Sequence, residues 1–519
     1  MKSIVIFYDD DNSKYRNEAA FNGKSAVELS AEWAKTVPCD KIVTISSRTN
    51  VLDLLQNIIA ESESAGADNI IFTYNDCPFL NTEITKKLLD SHIEYNSEYT
   101  FADGYSLGLC PEIINIGTAK ILLKLAETIQ IEEGQKKVCR QSIFNLIKTD
   151  INSFEIETVI ADKDWRLLRL NFDCRNKDCF VSCKNLFLKL QEKNISCCNG
   201  SINEINEIAE KSPEVLKTVP GFYNIQITDF GNDKCIYCPY SNEYKKKTGE
   251  SCKNAKKSMN KNDFSNLIKK ISDFSENGVI GLSLWGEAFS HPDLLEFIKI
   301  ILSYKGLSVF IETEGWNISE EFCLNLKNIV DSCEERINGW PPVMIAVEMD
   351  SVTQETYSKI HGSEKKLEDV IELVKKLQQA IPGNVYPQFV RMNINEPELE
   401  NFFRYWKEKE NPSAGQFIIQ KYDDFAGSLP PCKPADLSPL ERDPCWHLRR
   451  DLTILVNGDV PSCRTCWKDN IIGNAFTQKL EEIWHKTDEL LENHINKKYC
   501  CAGKCANCEK CDEWYTFNF

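Results

Sequence analysis

The chain has 519 residues, 42% of them hydrophobic and 27% charged, with a net charge of −17. That balance predicts a soluble, globular chain of two to four domains and excludes a disordered one. The acidic excess argues against a nucleic-acid or anionic-membrane partner, and no stretch approaches the ~20 apolar residues of a membrane span. The apolar run at 4–8 is too short for a signal peptide, so a cytoplasmic location is expected. In that compartment, clustered cysteines read as metal ligands rather than disulfides. Nine of the 23 cysteines fall between positions 432 and 519, which marks the tail as the first place to look for a metal. The looser group from Cys174 to Cys198 reads as ordinary thiols.

The first block, 1–193, has strand-like runs at 3–7, 41–46 and 69–73 and helical patterns at 25–35, 51–60 and 83–91. Such alternation predicts a Rossmann-like α/β domain. Three stretches support a closer reading: the Gly23-Lys24-Ser25 turn, Tyr74-Asn75-Asp76-Cys77-Pro78-Phe79-Leu80, and Leu168-Arg169-Leu170-Asn171-Phe172-Asp173. With them the block resembles a GT-A-type nucleotidyltransferase, in detail a sugar-nucleotide cytidylyltransferase. The resemblance implies that Asp76 binds magnesium, a hard ion suited to oxygen ligands. Asp9-Asp10-Asp11 stands where that family has a Gly-rich, basic phosphate loop. Three acids there would repel a triphosphate, so nucleotidyl transfer is not expected. A turn-forming role for Asp76 before Cys77-Pro78 is the plainer alternative. Residues 194–219 are polar and are expected to be a linker.

The second block, 220–427, has strand candidates at 223–228, 279–284, 308–312, 344–348, 386–391 and 416–420. Amphipathic stretches at 261–274, 292–304, 319–333, 366–380 and 396–409 lie between them. Near-continuous apolar strands alternating with helices predict a parallel sheet covered by helices, a partial (β/α)6 barrel with its site at the strands' C-terminal ends. At those ends stand Cys235-Ile236-Tyr237-Cys238, then Trp285-Gly286-Glu287-Ala288, then Glu312-Thr313-Glu314-Gly315, then Glu348-Met349-Asp350-Ser351. In order and spacing these resemble the radical SAM superfamily: a CxxxCxxC loop, a GGEP-like turn, a TNG-like turn and an S-x-D-like strand. The resemblance implies a 4Fe–4S cluster whose open iron chelates S-adenosyl-L-methionine (AdoMet). Reduction of that cluster yields a 5′-deoxyadenosyl radical. It further implies that Gly286 and Glu287 receive the AdoMet amino group, that Tyr237 lies near the adenine, and that Thr313 and Asp350 border the cofactor. Thiolates suit iron clusters, and the barrel's part is to position and shield the cofactor.

The sequence departs from that pattern at the loop's first cysteine position, which holds Gly231. Cys235 and Cys238 alone fall one thiolate short. Cys252 is the candidate third ligand, giving C-x2-C-x13-C; a non-cysteine ligand, a lost cluster, or two ordinary buried thiols are the alternatives. Read from the sequence, the chain is expected not to cleave AdoMet without an added ligand.

The third block, 428–519, follows the turn-rich Gly427-Ser428-Leu429-Pro430-Pro431. It carries Cys445, Cys463 and Cys466, and closes with Cys501, Cys505, Cys508 and Cys511. A β-hairpin across Asn457-Gly458-Asp459 is expected to set Cys445 beside Cys463. The block resembles a SPASM or twitch domain, which implies an auxiliary iron–sulfur cluster; zinc is the rival for an all-thiolate site. Taken whole, the chain resembles the spirochaete-type SPASM proteins. It is expected to be either a radical maturase of a peptide or nucleotide-linked substrate, fed by an electron donor, or a non-catalytic iron–sulfur scaffold.

Overall fold

The computed structural model describes residues 1–46, 50–128, 137–252, 257–315, 318–362, 365–466, 470–499 and 508–516. The chain divides into two units, Met1–Thr218 and Val219–Phe519.

In the first unit, strands β1 (Ser3–Asp9), β2 (Lys41–Ser46), β3 (Asn69–Tyr74), β4 (Tyr99–Asp103), β5 (Glu112–Asn115) and β6 (Ile156–Ile160) form one sheet. Its order is β2-β1-β3-β5-β4-β6, with β1 parallel to β2 and β3, and β5 antiparallel between β3 and β4. All of β3 and nearly all of β1 is buried, as strands covered on both faces require. Helix Ala26–Ala34 starts on a capping box made by Ser25 and Glu28. The stretch 194–219, expected as a linker, instead carries helices Ile202–Glu210 and Pro213–Leu216. Ile202, Ile205 and Ile208 recur at helical spacing and are buried. Ser182 Oγ and Asn185 Nδ2 of helix Lys177–Glu192 donate to the carbonyls of Val215 and Glu214 at 2.9 and 2.7 Å, tying the stretch to that helix.

In the second unit, β7 (Phe222–Ile225), β8 (Gly278–Gly281), β9 (Leu307–Thr313), β10 (Val343–Glu348), β11 (Val385–Arg391) and β12 (Ile418–Lys421) lie side by side in chain order, all parallel. Alternation along the strands explains why they read as apolar throughout. Ile225, Ile280, Val309, Ile311, Ile345 and Val347 pack outward beneath the helices. Phe222, Val279, Phe310, Met344 and Ala346 form a separate apolar floor on the other face. Two residues further on, that inner face changes character: Asn224, Gly281, Glu312, Glu348, Gln388 and Gln420 line a cavity of about 210 Å³. The polar layer sits at the C-terminal ends of the strands, where this architecture places its ligands.

The expected hairpin in the tail is not the pairing found. β13 (Asp451–Ile454) leaves its neighbour and pairs in parallel with β7, adding a seventh strand to the barrel sheet. β14 (Asp459–Pro461) pairs antiparallel with β15 (Ile471–Asn474). The reason is the exposed edge that β7 would otherwise present: β13 covers it, and Leu452 and Ile454 join the outer core. The turn itself remains, with Gly458 at φ +84° donating its N–H to the Leu455 carbonyl at 2.8 Å.

Candidate functional site

The loop after β7 is a returning ribbon. Thr228 bridges Ser258, the Asp229 N–H donates to the Lys257 carbonyl (3.0 Å), and the Gly231 N–H donates to the Cys252 carbonyl (3.3 Å). Between the two arms lies helix Pro239–Thr248, entered from Cys238 with proline at its first position and ended by Gly249 at φ +76°. The ribbon brings Cys252 back against Gly231. Its Sγ lies 3.3 Å from the Gly231 carbonyl, and 3.8 Å from where a β-carbon at 231 would stand. Cys235, Cys238 and Cys252 all line the cavity. Burial raises the Cys235 thiol well above its ordinary range and pushes Cys238 up to about 12, with each thiol's neighbour adding to the effect.

Three of the five expected cofactor residues reach the cavity: Tyr237, Gly286 and Glu287. A β-carbon at Gly286 would come within 2.1 Å of the Thr228 carbonyl, so only glycine lets the second loop close on the first. Trp285 holds φ +53°, a left-handed conformation, and its ring stacks on Tyr240 (6.2 Å, 12°) and packs on Phe425 (5.1 Å). Glu287 accepts from Thr313 Oγ1 (2.8 Å), the Phe289 N–H (3.2 Å) and the Glu314 N–H (3.1 Å). Burial nonetheless pushes its carboxyl up to about 7. Thr313 and Asp350 do not line the cavity. Thr313 is spent on Glu287. Asp350, fully buried at φ +59°, accepts from the Val390 N–H (2.5 Å) and Tyr237 O–H (2.8 Å) and lies 3.1 Å from His361 Nε2. Tyr237 also lies 2.9 Å from Glu348 Oε2. A phenol has one hydrogen to give, so one carboxyl supplies the other. Burial and the neighbouring Glu314 and Glu312 raise Glu348 well above the carboxylate range.

Sequence reading missed Glu312, Glu314, Glu348, Gln388 and His361. The signal was present: the alternation that points Phe310 inward also points Glu312 inward. Cys235, Glu314 and His361 place a thiol, a carboxylate and an imidazole within 4.8 Å of one another, a second donor set on the same loop floor.

In the tail, Cys445, Cys463, Cys508 and Cys511 surround a cavity of about 40 Å³, and Cys466 is buried in the same apolar cluster. Burial pushes Cys445 up to about 11 and also raises Cys463 and Cys511; Cys463 beside Cys445 and Cys445 beside Cys511 add to it. Cys501 and Cys505 lie outside the described residues.

The first unit corrects the expectation for Asp76. Arg140 Nη2 donates to both its oxygens (2.7 and 2.6 Å), and Ser13 Oγ donates to Oδ2 (2.6 Å). The same guanidinium lies 3.8 Å from Asp173 and 4.1 Å over the Tyr74 ring. Burial opposes ionisation of Asp76, and Arg140 outweighs it, so the carboxyl sits below its usual range. Both Asp76 oxygens are therefore engaged by an internal cation, and Oδ2 by Ser13 as well. Arg16 pairs with Asp9 (2.9 Å) and Asp11 (3.1 Å), so part of the acidic loop's charge is offset from within.

A family model described as the radical SAM superfamily matches residues 225–405, and one described as an iron-sulfur cluster-binding domain, SPASM, matches 445–512. The chain belongs to the radical SAM superfamily. An uncharacterised protein of Treponema pallidum (strain Nichols) is 37% identical over 392 residues, 73% of this chain and 99% of the relative. Among solved structures, BtrN in complex with AdoMet and 2-DOIA is 15% identical over 57% of this chain and 94% of its own, with a TM-score of 0.34. A cytidylyltransferase from Leptospira borgpetersenii is 13% identical over 42% and 98%, with a TM-score of 0.36. Radical SAM and SPASM membership implies iron–sulfur clusters and AdoMet. The donor sets fit that implication: three thiols border one cavity at the barrel's mouth and four surround another in the tail. Burial raises the Cys235, Cys238, Cys445, Cys463 and Cys511 thiols above their ordinary range, so iron binding to them must release protons. Among the described residues, no helix is long and apolar enough to cross a membrane.

Proposed function

We propose that this chain is an AdoMet-dependent radical enzyme in which Cys252 stands in for the missing loop cysteine. Cys235, Cys238 and Cys252 hold the barrel cluster, and the tail thiols hold an auxiliary one. The observation that carries the reading is the return of Cys252 Sγ to within 3.8 Å of the β-carbon position at Gly231. Held there, a four-iron cluster and AdoMet would supply one-electron reductive cleavage of AdoMet to methionine and a 5′-deoxyadenosyl radical, the electron coming from an external donor.

The chain's residues do the rest. Gly286 lets the second loop close on the first, and Glu287 would receive the AdoMet amino group. Trp285, Tyr240 and Phe425 form an aromatic wall that keeps water from a reactive centre. The Glu348–Tyr237–Asp350 chain of hydrogen bonds fixes the cysteine loop on the barrel. The substrate, a peptide or nucleotide-linked molecule, enters the cavity above Glu312 and Glu348, and an external donor supplies the electron.

The test isolates the barrel cluster. In a Cys463→Ala/Cys508→Ala chain, reduced anaerobically with dithionite, electron paramagnetic resonance should show a four-iron signal whose g-values move when AdoMet is added. A signal that ignores AdoMet, or no signal from a folded protein, overturns the proposal.

A further inference from the structure

The inner face of the barrel carries more acid than its cations neutralise. Glu312 on β9 and Glu348 on β10 both line the cavity, and neither has a cation within 4.0 Å among the described residues. Two cations, Lys421 and Arg464, line the same cavity; Arg464 acts electrostatically on Glu312, but both make their close ion pairs elsewhere. Arg464 pairs with Asp423 (2.7 Å) and Glu513 (3.5 Å); Lys421 pairs with Glu513 (2.8 Å) and Asp512 (3.2 Å).

A second observation points the same way. Gln388 on β11 is 3% exposed and lines the cavity, and its Oε1 is buried with no hydrogen-bond partner. Its side chain is already hydrogen-bonded to Glu312, so the unmet capacity is an acceptor. In the sheet register Gln388 stands directly beside Glu348, and Glu312 stands beside Ala346, two residues before Glu348 on the same face. Three acceptors from three adjacent strands thus converge on one space. Buried acceptors without donors cost free energy, and buried carboxylates without cations cost more. A ligand that brings N–H donors and a positive charge relieves both.

We infer that the substrate carries a primary amine, bound as an ammonium among Glu312, Glu348 and Gln388. This deepens the proposed enzyme reading and rests on it for the word substrate. AdoMet also carries an ammonium, so the chemistry has two sources. The barrel offers Glu287, on a different strand end, for the cofactor's amine, which leaves these three groups to the substrate.

Isothermal titration of the anaerobically reconstituted protein tests this with two probes of like shape, cyclohexylamine and cyclohexanol. Charge-assisted hydrogen bonds predict that the amine binds at least tenfold more tightly. Glu312→Gln should abolish that preference, with iron content and AdoMet affinity unchanged. Gln388→Leu is the second variant, should Glu312→Gln not fold; it should weaken the amine several-fold. Equal binding of the two probes overturns the inference. So does a Glu312→Gln protein that loses AdoMet rather than the amine, since the acids would then serve the cofactor. Because the titration reads binding alone, it stands or falls separately from whether AdoMet is cleaved.

Discussion

Cys252→Ala removes one thiol of the three that border the barrel cavity. Two protein thiolates do not hold a cluster that needs three, so about four irons per chain should be lost. The fold should survive the change. The deleted group is one buried sulfur in a side chain 1% exposed, a loss of roughly 1 kcal/mol by the cost of small cavities. The tail cluster lies on separate residues and acts as the internal standard. The structure also supplies a rescue. Gly231 does not sit in the left-handed region, and a β-carbon there points at the space Cys252 Sγ fills. The double variant Gly231→Cys/Cys252→Ala should therefore recover the lost iron. The assay is iron and sulfide per chain after anaerobic reconstitution, beside circular dichroism to show that each variant is folded. Full iron in Cys252→Ala would refute the reasoning, as would a folded double variant that recovers none.

Three further outcomes follow from the geometry. Gly286→Ala drives a methyl to 2.1 Å from the Thr228 carbonyl; it should cost about 2–4 kcal/mol in urea denaturation, and an unchanged midpoint would contradict the close approach. Asp76→Ala leaves the half-buried Arg140 with only the more distant Asp173 and should destabilise the chain by about 1–3 kcal/mol, while magnesium leaves the wild-type melting temperature unmoved and no pyrophosphate is released from CTP. Glu287 titrates near 7 in the folded chain against an ordinary 4.5, so the native state keeps a proton that the unfolded chain sheds between those values. Stability of the metal-free protein should then fall as pH rises from about 4.5 to 7, by on the order of 3 kcal/mol relative to Glu287→Gln; parallel profiles for the two proteins would show that burial does not hold the proton.

The barrel was legible because each covered strand buries both faces, so its whole length reads apolar, as at Val343–Glu348. The first unit's later strands were not, because Tyr99–Asp103 and Glu112–Asn115 are short and carry acids. β13 could not be placed from sequence: its partner is an edge strand more than 200 residues away, and edge protection is a property of the assembled sheet. Cys252 was legible as a spacing but not as a position. The ribbon that returns it to Gly231 rests on bridges such as Thr228–Ser258, which no local propensity dictates. Arg140 was invisible for the same reason, since its role depends on meeting Asp76 across 64 residues.

The central claim is that this loop, without the usual first cysteine, still supports AdoMet cleavage. The direct measurement is 5′-deoxyadenosine formed by the reconstituted wild-type chain with AdoMet and dithionite, set against the metal-free protein. The account predicts product at least stoichiometric with enzyme, lost in Cys252→Ala and restored in Gly231→Cys/Cys252→Ala. Product no higher than the metal-free control, from a chain carrying its full iron, would contradict it.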